Sequence, residues 1–213
     1  MDISVPSVGV MGDVLLAVAT GFGTGLSLIV AIGAQNVFVL RQGIRREAVL
    51  VVVAVCAVSD AVLIALGVGG VGAVVAAWPA ALTVFGLVGG GFLLCYGFLA
   101  ARRAFRPSTK WADGASVGSR RRAVLSCLVM TWLNPHVYLD TVLLLGSVAA
   151  GRGSLQWVFG LGAALASLCW FAALGFGARL LSGFFARPSS WRVLDGFVAA
   201  TMVTVGVMLV AGA

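Results

Sequence analysis

Long apolar runs follow one another along most of the chain, and short polar segments separate them. Each run reaches the roughly 20 apolar residues that an α-helix needs to cross the hydrocarbon of a bilayer. We predict six membrane-spanning helices, at about 14–40, 48–72, 80–101, 123–148, 155–181 and 192–212. Because lipid-exposed backbone must satisfy its own hydrogen bonds, the pattern indicates an all-α integral membrane protein.

The composition supports a membrane environment. Of the 213 residues, 61% are hydrophobic and only 10% are charged, whereas soluble domains usually carry about 25% charged residues. The longest segment between two predicted spans is 102–122, which is too short for a separate soluble domain. We therefore expect residues 1–213 to form a single transmembrane domain.

The basic residues lie in alternate connections between the predicted spans. The connections after the first, third and fifth spans, together with the span ends that flank them, hold every Lys and Arg except Arg152. The positive-inside rule places these connections in the cytoplasm and both termini outside. Arginines beside spans meet anionic lipid headgroups, so the net charge of +7 predicts lipid contact and no nucleic-acid partner.

An internal repeat relates the two halves of the chain. A polar interruption followed by alternating aliphatic and aromatic residues occurs at 33–39 and again at 133–139. Three crossings per half reverse the direction of the chain, which predicts two inverted three-helix repeats, at about 14–101 and 123–212, joined by the basic cytoplasmic loop 102–122. Inverted repeats around a central site with broken helices are typical of secondary transporters.

The fourth predicted span is interrupted by the sequence TWLNPHVYLD. Pro135 lacks a backbone N–H and clashes with the preceding turn, so a helix break is expected there, with carbonyls near residues 131–132 left in need of partners. Asn134 is suited to cap the helix that resumes at Pro135. His136 and Asp140 are four residues apart and therefore share one face of that half-helix.

The first span has a corresponding interruption. Gly33 supplies the flexible position, and Gln35 and Asn36 supply polar groups. The run 14–40 is also longer than a straight crossing requires, which favours a broken or tilted helix.

Two acidic residues lie well inside predicted spans, and no Lys or Arg lies in the middle of a span. Asp60 falls near the middle of the second span, and Asp140 follows the break in the fourth. Each is either a neutral acid that bridges helices or a carboxylate in a watery cavity that receives a cation from outside. The only histidine, His136, is likewise either a bridge between helices or part of such a site.

The cysteines do not indicate a metal or cofactor site. They are scattered over different spans without a CxxC pair, so we interpret them as small buried apolar side chains. One histidine with scattered cysteines would ligate a soft metal poorly. No cofactor is expected, and Ser59 beside Asp60 is the only faint nucleophile–base pair, so the pattern does not favour an enzyme. The four cysteines are Cys56, Cys95, Cys127 and Cys169.

Three segments resemble the lysine/arginine exporter (LysE) family, most closely the branch that contains the bacterial arginine exporter. They are GAQNVFVLRQGIRR at 33–46, Ser59-Asp60, and TWLNPHVYLDT at 131–141. The resemblance implies proton-driven export of arginine, lysine and analogues such as canavanine across the plasma (inner) membrane of a bacterium. The substrate-binding or proton-coupling residues that it implies are Gln35, Asn36, Asp60, Asn134, His136, Tyr138 and Asp140. One position departs from the family pattern: members usually carry Pro where this chain has Ala34, so the first break relies on Gly33.

Other functions fit the same scaffold. An exporter of a neutral amino acid or a divalent metal ion, a channel, and a structural membrane protein stay as alternatives. Gly86 and Gly90, at small-xxx-small spacing, predict close helix packing, and six spans are compatible with a homodimer.

Overall fold

The structure is a computed structural model that describes residues 8–30, 34–70, 77, 79–105, 120–132, 137–181, 183 and 187–212. Within these ranges every regular element is helical, which confirms the all-α prediction. The α-helices are α1 (Val8–Ile29), α2 (Ala34–Arg45), α3 (Val49–Val68), α4 (Pro79–Phe105), α5 (Arg120–Trp132), α6 (Leu145–Ala150), α7 (Gln156–Gly177) and α8 (Pro188–Ala211). A π-helix, Tyr138–Leu144, leads into α6, and 3-10 turns occupy Gly153–Leu155 and Ala178–Leu181.

Four helical segments are long and apolar enough to cross a membrane. They are Gly9–Ile29, Val49–Val68, Gly153–Leu181 and Ser189–Met208, within the described part of the chain. Helix α4 covers the predicted third span, and the predicted fourth span contains the shorter apolar helices Ala123–Trp132 and Tyr138–Ala150. The structure thus supports a membrane protein, and the total of six spans stays a prediction.

Helices end and begin on either side of both predicted interruptions. Helix α1 ends at Ile29 and α2 begins at Ala34, while Gly33 lies outside the described residues. Helix α5 ends at Trp132, and helical structure is present again at Val137. Asn134, Pro135 and His136 lie outside the described residues, so the capping by Asn134, the break at Pro135 and the shared face of His136 and Asp140 stay predictions.

Helices α1 and α7 pack so closely that glycine is required where they cross. A Cβ atom added to Gly21 would overlap the carbonyl of Phe159, and one added to Gly162 would overlap the carbonyl of Val18. The same kind of contact joins α3 to α6, where a Cβ on Gly146 would lie 2.6 Å from the carbonyl oxygen of Gly67. Small residues that let backbones approach are typical of packing between membrane helices.

Helices α4 and α8 form a pair along which Gly90 also allows a close approach. A Cβ on Gly90 would lie 2.8 Å from the carbonyl oxygen of Gly206, in agreement with the close packing predicted there. The pair meets α2 in a core cluster that contains Val37, Leu93 and Met202. Helix α2 therefore lies between the α4/α8 pair and the helices α3 and α7, which it also contacts.

Candidate functional site

Asp60 is buried in the middle of α3, with 5% of its surface exposed. The hydroxyl of Ser167, on α7, donates a hydrogen bond of 2.7 Å to Asp60 Oδ2. Among the described residues no Lys, Arg or His lies within ion-pair distance of this carboxylate. A carboxyl group at helix centre with a single hydroxyl donor is costly, and such residues usually mark an ion or substrate pathway.

Asn36, in the first turn of α2, connects the two sides of the first interruption. Its Nδ2 donates to the carbonyl of Ile29 at 2.9 Å, which satisfies one of the last carbonyls of α1. Trp170 Nε1, on α7, donates to Asn36 Oδ1 at 3.3 Å. Asn36 therefore fixes the start of α2 relative to both α1 and α7.

Gln35 offers a buried hydrogen-bond donor beside Asn36. The side chain is 8% exposed, and its Nε2 has no hydrogen-bond partner among the described residues. It approaches the thiol of Cys56, which lies one helical turn before Asp60 on α3. Buried amide groups are normally paired, so this unpaired donor marks a place for an acceptor from outside the chain.

Tyr138 takes the corresponding place at the second interruption. Its hydroxyl donates to the carbonyl of Trp132, the last residue of α5, at 2.8 Å. The sequence predicts freed carbonyls near residues 131–132, and Tyr138 supplies a partner for one of them. Trp132 Nε1 in turn donates to Ser59 Oγ at 3.1 Å, which joins this interruption to α3 directly beside Asp60.

Asp140 lies in the first turn of the π-helix and is half-buried. π-Helical turns are rare and occur often at functional sites, because the wider turn displaces side chains from their α-helical positions. No feature of the sequence predicts a π-helix at this position. The predicted site residues Gln35, Asn36, Asp60, Tyr138 and Asp140 thus all lie on or next to the two interruptions and the middle of α3.

The four cysteines differ in their burial, and none is in a disulfide. Cys56 and Cys127 are fully buried with their sulfur atoms 3.1 Å apart, as small apolar side chains of the interior. Cys95 and Cys169 are exposed, so the prediction that all four are buried was wrong. In a membrane protein the outer surface faces hydrocarbon, where an apolar thiol is as well accommodated as in the core.

Three further residues of the site were not among those predicted from the sequence. Ser167, Trp132 and Trp170 each make a hydrogen bond to a predicted residue or to its neighbour on another helix. Ser167 had a signal, since a serine shortly after an alanine occurs in both the second and the fifth predicted span. The tryptophans had none, because a Trp in an apolar run is equally typical of a lipid-facing surface.

Comparison with known proteins settles the family. The model of the LysE type translocators matches residues 26–212. The chain belongs to the LysE family. This confirms the family that the sequence segments indicated, and because the family consists of translocators it agrees with the prediction that the protein is not an enzyme. No solved structure gives a significant match.

Relatives of this LysE family member are described as transporters or exporters of amino acids. A putative amino-acid transporter of Mycobacterium tuberculosis is 51% identical over 138 residues, covering 65% of this chain and 69% of the relative. A lysine exporter of Corynebacterium diphtheriae is 38% identical over 176 residues, covering 68% and 77%. An arginine exporter of Klebsiella pneumoniae is 40% identical over 158 residues, covering 66% and 74%.

Proposed function

We propose that this LysE family member exports basic L-amino acids, namely arginine and lysine with analogues such as canavanine, across the plasma membrane of a bacterium. It acts as a secondary transporter driven by the proton motive force. The relatives described as lysine and arginine exporters support the substrate class. The observation that carries the proposal is Asp60, a buried carboxylate without a cationic partner in the described part of the chain.

The charge of Asp60 explains why the substrate is basic. An ionised Asp at the centre of a membrane helix costs on the order of 3 kcal/mol on insertion scales. The guanidinium or ammonium group of the substrate supplies the missing cation, and a neutral amino acid would leave the carboxylate unpaired. The unpaired Nε2 of Gln35 is a donor suited to the α-carboxylate of the same substrate.

The remaining residues of the proposed site lie at or next to the two helix interruptions. Asp140 is the second carboxylate, so that one acid binds the substrate cation while the other carries the coupled proton. Gly33 and Pro135 are the helix-breaking positions. The polar residues that complete the proposed site are Asn36, Asn134, His136 and Tyr138.

The proposal includes six spans arranged as two inverted repeats, about 14–101 and 123–212, within a single transmembrane domain. Matching contacts support it: the first span packs on the fifth through α1 and α7, and the second packs on the fourth through α3 and α6. The second and fifth spans, equivalent under the repeat, meet at Asp60 and Ser167. A site on the axis between repeats is where inverted-repeat transporters bind substrate.

The arginine-rich connections, including 102–122, face the cytoplasm in this proposal, and both termini face outside. The positive-inside rule supports this orientation, since Arg152 is the one basic residue on the opposite side. The partners are membrane lipid, the substrate, protons and a second copy of the chain in a homodimer.

The proposal is tested in cells that lack their own exporter and are loaded with a lysine- or arginine-containing dipeptide. Hydrolysis raises the internal pool of the free amino acid. Expression of this chain should lower that pool and raise the concentration in the medium, and an uncoupler should abolish the gradient. Leucine dipeptides, loaded in the same way, are the control and should show little export.

Two outcomes would favour the alternatives. Export of threonine or homoserine as fast as arginine would contradict a site selective for cations and leave a transporter of neutral amino acids. No movement of any amino acid, together with increased tolerance of cadmium or nickel, would favour a metal-ion exporter.

A further inference from the structure

Three helices meet at a single carboxylate at the arginine-rich end of the molecule. Asp195, near the start of α8, is 6% exposed. Arg41 Nη2, on α2, lies 2.8 Å from Asp195 Oδ1, and Arg103 Nε, near the end of α4, lies 3.4 Å from the same oxygen. Asp195 is not predicted from the sequence as a functional residue, and it is not part of the proposed substrate site.

Aromatic rings hold both guanidinium groups in position. The guanidinium carbon of Arg41 lies 5.2 Å from the ring centroid of Trp191, and that of Arg103 lies 5.5 Å from the centroid of Tyr96. Trp191 and Asp195 are four residues apart and share one face of α8. A guanidinium between a carboxylate and an aromatic ring is a desolvated, oriented contact rather than a loose surface pair.

Arg41 and Gln35 lie on the same short helix, so a movement at one is transmitted to the other. Helix α2 is the second half of the interrupted first span, and the two residues are separated by about 9 Å along it at 1.5 Å per residue. In its first turn Gln35 approaches the thiol of Cys56, one helical turn from Asp60. Nearer its C-terminal end Arg41 is bound to Asp195.

We propose that Arg41, Arg103 and Asp195 form an ion-pair latch on the cytoplasmic side, which holds α2 against α3 at Cys56, one helical turn from Asp60. The latch opens when a basic amino acid passes from the cytoplasm to the site, so this inference rests on the proposed function. Asp195 is a positioning residue in this arrangement. Removal of its charge leaves two guanidinium groups close together, and their repulsion favours the open position of α2.

Cys56 is a native reporter of the latch, because it is fully buried beside Gln35. In a parent protein with the other three cysteines changed to Ala, a membrane-impermeant maleimide should label Cys56 slowly in inside-out vesicles. Asp195→Asn should raise the labelling rate roughly 10-fold, a typical size for coupling between two sites. Arg103→Gln keeps the Arg41–Asp195 pair and should raise the labelling rate less. Asp195→Glu, which keeps the negative charge, should label as slowly as the parent.

The control is Arg102→Gln, which removes an exposed arginine next to Arg103 and should leave the labelling rate at that of the parent. Labelling requires no transport, so it tests the latch even if the protein exports no basic amino acid. The latch is overturned if Asp195→Asn and Arg103→Gln, both eluting as folded protein from size exclusion, label at the parent rate. It is also overturned if right-side-out vesicles show the faster labelling instead.

Discussion

Asp60→Asn is expected to lower arginine export by on the order of 100-fold or more, while the protein still folds and inserts. The amide has nearly the shape of the carboxylate, and its oxygen can still accept the hydrogen bond from Ser167. Loss of the charge removes the partner of the substrate cation, and truncating one member of a buried charge pair costs about 3 kcal/mol. Export of arginine from dipeptide-loaded cells, normalised to the amount of protein in the membrane, measures the effect.

Asp13→Asn is the matched control for Asp60→Asn. Asp13 is an exposed acid of α1, so the same change in charge there should leave export at the wild-type rate. Near-normal export by Asp60→Asn would show that Asp60 is only a neutral acid bridging α3 and α7, and it would remove Asp60 from the proposed site.

Gly21→Ala is expected to destabilise the protein, because the added Cβ overlaps the carbonyl of Phe159 where α1 crosses α7. Backbone atoms cannot rotate away as a side chain can, so the two helices have to separate and lose contact along their length. Overpacking of this kind costs about 1–3 kcal/mol or more. For a protein of this size, the midpoint of thermal unfolding in detergent should fall by roughly 5 °C or more.

Gly23→Ala provides the comparison on the same helix. Gly23 is two residues further along α1, and an added Cβ there meets no atom within 4 Å. This variant should unfold at or slightly above the wild-type temperature, since Ala favours a helix over Gly. Equal unfolding temperatures for the two variants would contradict the close α1–α7 packing.

The elements of the site that the sequence predicts are those in which polar residues interrupt an apolar run. Asp60, Gln35 and Asn36 stand out for this reason, and the helix ends at Ile29 and Trp132 fall where the interruptions were placed. The hydrogen bond from Asn36 to Ile29 spans only seven residues, so local sequence contains most of the information for it.

Contacts between helices that are distant in sequence could not be predicted, because the hydrophobic pattern does not specify which helices are neighbours. The Ser167–Asp60 bond joins residues 107 apart, and Arg41–Asp195 joins residues 154 apart. Asp195 is also close in sequence to Arg187 and Arg192, so the pattern there is that of ordinary charged residues at the end of a span. The π-helix at Tyr138–Leu144 has no distinct sequence pattern, since its residues would suit an α-helix equally well.

The most direct measurement of the central claim is counterflow in proteoliposomes that contain only the purified protein. Vesicles loaded with unlabelled lysine or arginine, and diluted into a trace of labelled arginine, should accumulate the label transiently above its external concentration. Vesicles loaded with leucine should not, because a neutral side chain leaves Asp60 unpaired. Equal accumulation with leucine inside would contradict a site selective for basic amino acids, and simple equilibration without accumulation would show a channel instead of a transporter.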